Sequence, residues 1–176
     1  MPPDFEPIAT IFNMLTITPA RWNELTGRLP EVLLRRSPAP GEWSALECLQ
    51  HIIDVERVFQ SRLKAFLDGL ESFPAFNPDA EDAPEAATRS PGDVAAEFAE
   101  LRAVSLEAIG KLQPNDLGRT SRHAELGKVT QEEMLNEWPA HDLNHTVQAE
   151  RALMQPYIQG CGPWQVFFKD HAIENT

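Results

Sequence analysis

Three histidines in this sequence have the residue type and the spacing of metal ligands. His141 and His145 are one helical turn apart in His141-Asp-Leu-Asn-His145, so both imidazoles project from one face of a predicted helix. His51 lies on a separate predicted helix, in a largely apolar stretch. A histidine pair at this spacing is a weak signal alone, because core histidines also occur at such intervals. The three residues are therefore either ligands of one ion or buried core histidines.

Two further features favour a common site. In an up-and-down bundle the second and fourth helices would run in the same direction, and His51 and His141 would lie at similar levels along them. Pro139 lies inside the fourth predicted helix, where it removes a backbone hydrogen bond, and such defects often mark functional sites. Cys48 lies three residues before His51 and is a conceivable ligand, although a buried structural thiol is the more common role of a helix cysteine.

Helical periodicity recurs along the chain, whereas the patterns typical of strands are nearly absent. Apolar residues at three- and four-residue steps predict a first helix over residues 7–29, interrupted at Pro19, and prolines make helix unfavourable from residue 30 to 41. Start and stop signals predict three further helices, from Ser44 to Gly69, from Ser90 to Pro114 and from Thr130 to about Pro156. We therefore expect an all-α fold, an up-and-down four-helix bundle that forms a single domain over residues 1–176.

Two segments lie outside these four helices. Residues 70–90 contain three prolines and an acidic stretch at 79–85, which predicts a long loop between helices two and three. This loop is either solvated or placed over one end of the bundle. The C-terminal tail, residues 157–176, contains Trp164 and Phe167, and its aromatic residues predict that it packs on the bundle.

The charge balance of the chain restricts its partners. The sequence has 27 Asp and Glu against 15 Lys and Arg, a formal net charge of −12. Such a chain repels phosphate backbones and anionic lipids, so we expect neither nucleic-acid nor membrane binding. With two cysteines, no secretory start and no apolar run of about 18 residues, we expect a cytoplasmic protein. Self-association through an apolar face remains compatible with this charge, and a homodimer is one expectation.

Several motifs around the histidines form a pattern. The segment before the first histidine reads Ser37-Pro-Ala-Pro-Gly-Glu-Trp-Ser44 and continues through Glu47 to His51-Ile-Ile-Asp54-Val-Glu56. The motifs near the C-terminus are His141, His145, Gln148, Glu150 and Arg151, then Pro156-Tyr157 and Gly162-Pro163-Trp164. Together they resemble the DinB/YfiT-like superfamily of metalloenzymes. The resemblance implies a four-helix bundle with one divalent metal ion held by His51, His141 and His145.

A three-histidine site leaves at least one coordination position for water or substrate, as catalytic metal sites do. Imidazole ligands suit zinc, nickel, iron or copper, so the sequence does not choose the metal. Our expectation is zinc or nickel, with iron or manganese as alternatives. Because characterised members of the family are described as thiol-dependent transferases and isomerases, the resemblance implies activation of a low-molecular-weight thiol, with transfer of that thiol to a small-molecule substrate. The alternatives are a metal-dependent hydrolase and a non-catalytic, metal-binding stress-response bundle.

Other polar and aromatic residues are candidates for supporting roles. Glu137 precedes His141 by one turn and is a general base, an acceptor for a histidine N–H or a solvated acid. The candidates for orienting the ligands or lining a pocket are Glu47, Asp54, Trp43 and Trp138, each of which also has a purely structural interpretation. His123 and His171 have no partner at metal-ligand spacing and are predicted to be surface or tail residues.

Overall fold

The computed structural model describes residues 7–76 and 88–173, and four long helices dominate it. The long helices are α1 (Pro7–Arg28), α3 (Ala45–Asp68), α4 (Pro91–Ile109) and α5 (Gln131–Gly160). A single helical turn, α2 (Glu31–Leu34), lies between the first two, in a segment predicted to be non-helical. The predicted all-α four-helix bundle is confirmed, whereas the acidic stretch at 79–85 falls outside the described residues. Within the described residues, no helix is long and apolar enough to cross a membrane.

The order and direction of the helices follow from two core clusters. Helices α1 and α3 each pack against both α4 and α5. One cluster joins the N-terminal halves of α1 and α5 to the C-terminal parts of α3 and α4. The second cluster joins the C-terminal halves of α1 and α5 to the N-terminal parts of α3 and α4. Helices α3 and α4 therefore run in one direction, and α1 and α5 in the other. The expectation that the second and fourth bundle helices run the same way is wrong, since α3 and α5 are antiparallel.

The predicted helix starts are confirmed by their capping hydrogen bonds. At the start of α3 the Ser44 side chain accepts a hydrogen bond from the Glu47 amide at 3.3 Å, and the Glu47 carboxylate accepts one from the Ser44 amide at 2.7 Å. Thr130 and Glu133 form the same reciprocal pair at the start of α5. Helix α3 ends at Gly69, whose φ of 68° is the left-handed conformation that glycine adopts without strain.

Prolines inside two helices do not end them. The interruption predicted at Pro19 is wrong, because α1 continues through this residue. A proline deprives the carbonyl four residues earlier of its donor, and here the buried Arg102 side chain donates to the Leu15 carbonyl at 3.0 Å. Helix α5 likewise continues through Pro139 and runs past Pro156, beyond its predicted end.

A small sheet, which the sequence analysis missed, lies beside the bundle. Strand β1 (Ser72–Phe73) pairs in parallel with β2 (Thr120–His123), and β2 pairs antiparallel with β3 (Gly127–Thr130). These strands have two to four residues and mostly polar side chains, so they lack the alternation that predicts longer strands. The sheet packs against α3 and buries His123, which is only 7% exposed. The prediction that His123 is a surface or tail residue is therefore wrong.

The C-terminal tail folds back on α5, as predicted, through polar contacts. After a 3₁₀ helix at Gly162–Phe168, the His171 carbonyl accepts a hydrogen bond from the Arg151 side chain at 3.1 Å. The aromatic residues do not make this attachment, because Trp164 is 65% and Phe167 is 76% exposed. The tail is therefore held by its backbone rather than by aromatic packing.

Candidate metal site

The structure brings His51, His141 and His145 to one point between α3 and α5. One ring nitrogen from each residue lies within 4.8 Å of the other two. The Nε2 atoms of His51 and His141 are 3.2 Å apart, and the ring of His145 lies 4.4 Å and 4.5 Å from the other two ring centroids. Among the described residues, these three form the group of His, Cys, Asp and Glu side chains that can hold a metal ion. That these three histidines bind a metal ion remains a prediction.

Secondary structure fixes each imidazole before any ion binds. His51 lies in the second turn of α3, whose start is held by the Ser44–Glu47 capping box. His141 and His145 are one turn apart in the middle of α5, so their side chains share a face of that helix. The site therefore rests on two packed helices rather than on loops, which favours precise ligand geometry.

The spacing of the nitrogens suits a small divalent ion. Zinc binds imidazole nitrogen at about 2.0–2.1 Å in tetrahedral geometry, which separates two ligand nitrogens by roughly 3.3 Å. The distance of 3.2 Å between the Nε2 atoms of His51 and His141 agrees with this value. Two imidazole nitrogens at this distance can share only one proton, whereas a cation accepts both lone pairs.

The three imidazoles are held in the uncharged form that metal binding requires. Burial, followed by repulsion from His145, lowers the pKa of His51 to about 4. Burial lowers the pKa of His141 to about 3, with further repulsion from His145, His51, Arg62 and Arg102. Burial also lowers the pKa of His145. At neutral pH no proton therefore has to be displaced before a cation can bind.

We expect the metal-free protein to lose stability as the pH falls from 7 to 5. Histidines in the unfolded chain bind protons near pH 6.5, whereas His51 and His141 in the folded protein stay neutral to about pH 4 and 3. Between these values the unfolded state holds more protons, so the free energy of unfolding decreases as the pH falls. Because both rings are partly exposed, the slope is at most about 1.4 kcal/mol per pH unit for each histidine.

Urea unfolding of EDTA-treated protein at several pH values measures this slope. His141→Gln removes one of the two responsible groups and should give a shallower dependence, whereas His171→Gln, in the exposed tail, should leave the slope unchanged. Equal slopes for the wild type and His141→Gln would contradict the assignment.

Gln148 fixes the orientation of the third imidazole. Its Oε1 atom lies 2.9 Å from His145 Nδ1, which places the ring proton on Nδ1 and leaves the Nε2 lone pair for a metal. Gln148 lies one turn after His145 on α5, and both side chains are partly buried. The glutamine thus selects the tautomer that can bind an ion.

The exchange Gln148→Leu should weaken metal binding by about 10- to 100-fold, the range typical of lost outer hydrogen bonds to a histidine ligand. A competition titration against a chromophoric chelator measures this change. Gln159→Leu is the matched control, because Gln159 is exposed on the same helix. If both variants bind the ion equally well, Gln148 does not orient His145.

Aromatic rings form the walls around the three histidines. Trp43 contacts the rings of His51 and His145 at centroid distances of 5.0 Å and 5.8 Å. Phe59 lies 6.0 Å from His141, and Phe76 lies 6.4 Å from His51. Trp43 also lines a cavity of about 310 Å³, together with Gln148 on α5 and Ile173 of the C-terminal tail. The predicted pocket position of Trp43 thus agrees with its contacts.

Three other residues singled out in the sequence have mainly structural contacts. Glu47 forms the capping box of α3. The Asp54 carboxylate accepts hydrogen bonds from Gln50 at 3.1 Å and from Arg57 at 3.0 Å. Trp138 is fully buried, so the structure places it in the core and not at a pocket wall.

Glu137 lies beside Arg62 rather than in contact with the three histidines. Its carboxylate is 3.5 Å from the Arg62 guanidinium, and about half of its side chain is exposed. Arg62 also lies 3.2 Å from His123 Nε2, so Glu137, Arg62 and His123 form a second polar cluster. The role of Glu137 as a general base stays a prediction.

Cys48 is a structural thiol, as predicted. The residue is fully buried, and burial followed by the charge of Glu47 raises the pKa of its thiol to about 12. Cys48 also lies outside the group of three side chains whose ligand atoms converge within 4.8 Å.

A buried ionic network next to the site was missed by the sequence analysis. The Arg102 guanidinium donates two hydrogen bonds to Glu56, at 2.7 Å and 3.0 Å, and one to Asp142 at 2.7 Å. Ser105 and Trp138 also donate to the Glu56 carboxylate. The sequence signal was Arg102 itself, one turn after Phe98 and in line with the buried face of α4. Since Asp142 follows His141 directly, this network helps set the position of α5 relative to α3.

Comparisons with known proteins agree with this architecture. None of the curated proteins matches the sequence. Among solved structures, YfiT from Bacillus subtilis, described as a probable metal-dependent hydrolase with an unusual four-helix bundle topology, superposes with a TM-score of 0.72. The two sequences are 18% identical, and the match covers 82% of this chain and 85% of YfiT. A family model, that of the DinB superfamily, matches residues 14–149, which include all three histidines. The chain therefore belongs to the DinB superfamily.

Proposed function

We propose that this protein is a metal-dependent enzyme in which His51, His141 and His145 hold one divalent ion that activates a small nucleophile. The observation that carries this proposal is the convergence of three uncharged imidazoles within 4.8 Å, from two helices. Three protein ligands leave a coordination position for a small molecule, which distinguishes catalytic from structural zinc sites. When bound, such an ion supplies Lewis acidity that lowers the pKa of a coordinated thiol or water.

The residues around the histidines orient one imidazole and limit the access of water to the site. Gln148 holds the proton of His145 at Nδ1, so the opposite nitrogen faces the common point. Trp43, Phe59 and Phe76 form apolar walls that limit the access of water to it. Exclusion of water strengthens every charge interaction within the site and protects a reactive nucleophile from side reactions.

We propose a low-molecular-weight thiol as the first candidate nucleophile. This choice rests on the resemblance of the sequence motifs to thiol-dependent members of the superfamily. The reaction would form a bond between the sulfur of the intact thiolate and an electrophilic carbon of a second small molecule. The thiol proton would be lost to solvent, and a leaving group such as chloride would depart with the electron pair of its bond to that carbon. Apolar walls suit an acceptor with an aromatic body.

Hydrolysis is the second candidate, with water as the nucleophile and an ester or amide as the substrate. It is favoured by one observation, the superposition on YfiT, which is described as a probable metal-dependent hydrolase. The same three histidines would hold the ion in either reaction, so the two candidates differ in the nucleophile and in the electrophile that it attacks.

Elemental analysis of the purified protein, combined with two assays, tests the proposal. Metal-loaded protein is incubated with glutathione, bacillithiol or mycothiol and a chloro-aromatic acceptor, and separately with a generic aryl ester. Adduct formation that requires metal supports thiol transfer, and ester turnover that EDTA abolishes supports hydrolysis. Full metal occupancy without either activity would favour the non-catalytic, metal-stabilised bundle. Absence of stoichiometric metal after loading would overturn the proposal.

A further inference from the structure

Arg62 is a buried cation that the bundle does not fully neutralise. The residue is 7% exposed, and its buried Nε–H has no hydrogen-bond partner in the part of the chain that the structure describes. The opposing carboxylate of Glu137 is 3.5 Å away and about half exposed, a geometry in which ion pairs contribute little. Burial lowers the pKa of the Arg62 guanidinium, and the charge of Glu137 offsets this only in part. A buried charge without full compensation is costly, so such a residue usually has a further partner.

The guanidinium is held rigidly between two aromatic rings. Its central carbon lies 5.8 Å from the Phe59 centroid and 5.5 Å from that of Phe73, distances at which cation–π attraction operates. Nη2 lies 3.2 Å from Nε2 of His123, a residue that strand β2 places in the interior. Arg62 is therefore positioned in advance, and an anion that binds to it would not have to order a flexible side chain.

A cavity of about 380 Å³ lies against this arginine. Its walls include the apolar residues Val58, Phe73, Pro74 and Phe76, and its polar lining includes Asp54, Arg57, Ser61 and Arg62. Among the residues that line the cavity, Arg57 already pairs with Asp54 and Glu97, whereas the ion pair of Arg62 is the longer contact of 3.5 Å with Glu137. A volume of roughly 300–1,000 Å³ with few polar groups is typical of small-molecule sites.

One aromatic residue is shared by the cavity and the surroundings of the histidine site. Phe76 lines the cavity, and its ring centroid lies 6.4 Å from that of His51. Outside the cavity, Phe59 lies 6.0 Å from the ring of His141 and also contacts the Arg62 guanidinium. A small molecule that contacts both Phe76 and Arg62 would thus have one end beside the residue that neighbours His51 and its other end at the guanidinium.

We propose that Arg62 is a substrate-positioning residue that binds the carboxylate of a small molecule with an apolar body. The inference rests on the proposed function, because it names the substrate class of the same site. A guanidinium and a carboxylate form charge-assisted hydrogen bonds in a planar geometry, and the apolar walls accommodate the remainder of the molecule. The carboxylate belongs either to the acceptor or to the thiol, and both sources have the same chemistry at Arg62.

Binding to EDTA-treated protein tests the proposal independently of metal and of catalysis. The probes are 3-phenylpropanoate, its uncharged amide and S-methylglutathione, and the readout is chemical-shift perturbation of methyl groups that line the cavity. We expect the wild type to bind at least one carboxylate probe about tenfold more tightly than the amide. Binding of phenylpropanoate assigns the anion to the acceptor, and binding of S-methylglutathione assigns it to the thiol.

Two variants change the affinity in opposite directions. Arg62→Gln should remove the preference for carboxylate over amide, whereas Glu137→Gln should raise carboxylate affinity about two- to fivefold by removing a competing anion. Arg119→Gln is the control for overall charge, because Arg119 does not line the cavity next to Arg62. The Glu137 variant keeps the test decisive if Arg62→Gln does not fold, because Glu137 lies at the surface.

If the wild type binds neither carboxylate probe more tightly than the amide, the proposal is overturned, and so it is if a carboxylate preference survives in Arg62→Gln. Metal content is measured separately on metal-loaded samples of the same proteins that have not been treated with EDTA. If the protein holds no metal but still prefers carboxylates, only the proposed metal site fails. If it holds metal but shows no carboxylate preference, only the role of Arg62 fails.

Discussion

Replacement of His141 by alanine should lower the affinity of the protein for a divalent ion by about 100-fold. A four-ligand zinc site contributes roughly 10–16 kcal/mol, so the loss of one imidazole corresponds to about 3 kcal/mol. His141 is the best position for this test, because its Nε2 atom lies 3.2 Å from that of His51 and its ring packs against His145. Competition with a chromophoric chelator gives the affinity, and elemental analysis after dialysis gives the stoichiometry.

His51→Ala should have an effect of similar size, although His51 comes from a different helix. The matched control is His171→Ala, which removes a histidine from the exposed tail and should leave the affinity unchanged. Wild-type affinity in either His51→Ala or His141→Ala would show that the two helices do not hold the same ion.

The candidate site could be predicted from the sequence because local rules define most of it. A histidine pair at i and i+4 shares a helix face wherever the helix packs. The capping box at Ser44 places His51 in the second turn of its helix, and the hydrogen bonds of that box confirm the predicted start. These features depend on residues within one turn of each other, so the rest of the fold does not alter them.

The directions of the helices could not be predicted in this way. Same-direction helices were assumed, yet α3 and α5 are antiparallel, and the histidines meet because His141 and His145 lie near the middle of α5. The connection from residue 69 to 90 allows this arrangement. Helix α3 is about 36 Å long, and an extended chain covers about 3.3 Å per residue, so the connection can return along the full bundle.

The contacts of Arg62 and His123 also could not be predicted from neighbouring residues in the sequence. His123 was predicted to be a surface residue because it has no neighbour at metal-ligand spacing in the sequence. Its burial depends on pairing of β2 with β1, a contact between segments about 50 residues apart. Short polar strands are formed by such pairing rather than by their own propensity, so their positions are set by the tertiary structure.

Replacement of Arg102 by methionine should destabilise the protein by about 3–5 kcal/mol, the typical cost of breaking a buried ion pair. Arg102 and Glu56 are fully buried, and Asp142 is 1% exposed. The variant would leave two carboxylates in the core without a counter-charge. The Leu15 carbonyl, which receives no backbone hydrogen bond because residue 19 is proline, would also lose the hydrogen bond from Arg102. Methionine fills a similar volume, so a cavity contributes little to the effect.

Urea unfolding at pH 7 measures the change in the free energy of unfolding. Arg57→Met is the matched control, because Arg57 also pairs with two carboxylates but is 48% exposed, and this exchange should cost less than about 1 kcal/mol. Equal effects of the two exchanges would mean that burial of the Arg102 network does not determine its contribution.

The pH dependence of the Arg102 variant separates loss of charge balance from loss of packing. In the wild type, burial raises the pKa of Asp142, and the charge of Arg102 opposes that rise. Without Arg102 the pKa of Asp142 rises further, so its folded-state carboxyl takes up a proton before the unfolded state does, and the deficit of the variant relative to the wild type should shrink as the pH falls from 7 to 5. The histidines lower the stability of both proteins over this range, so their contribution cancels in the comparison. If instead the deficit of Arg102→Met is independent of pH, packing rather than charge accounts for it.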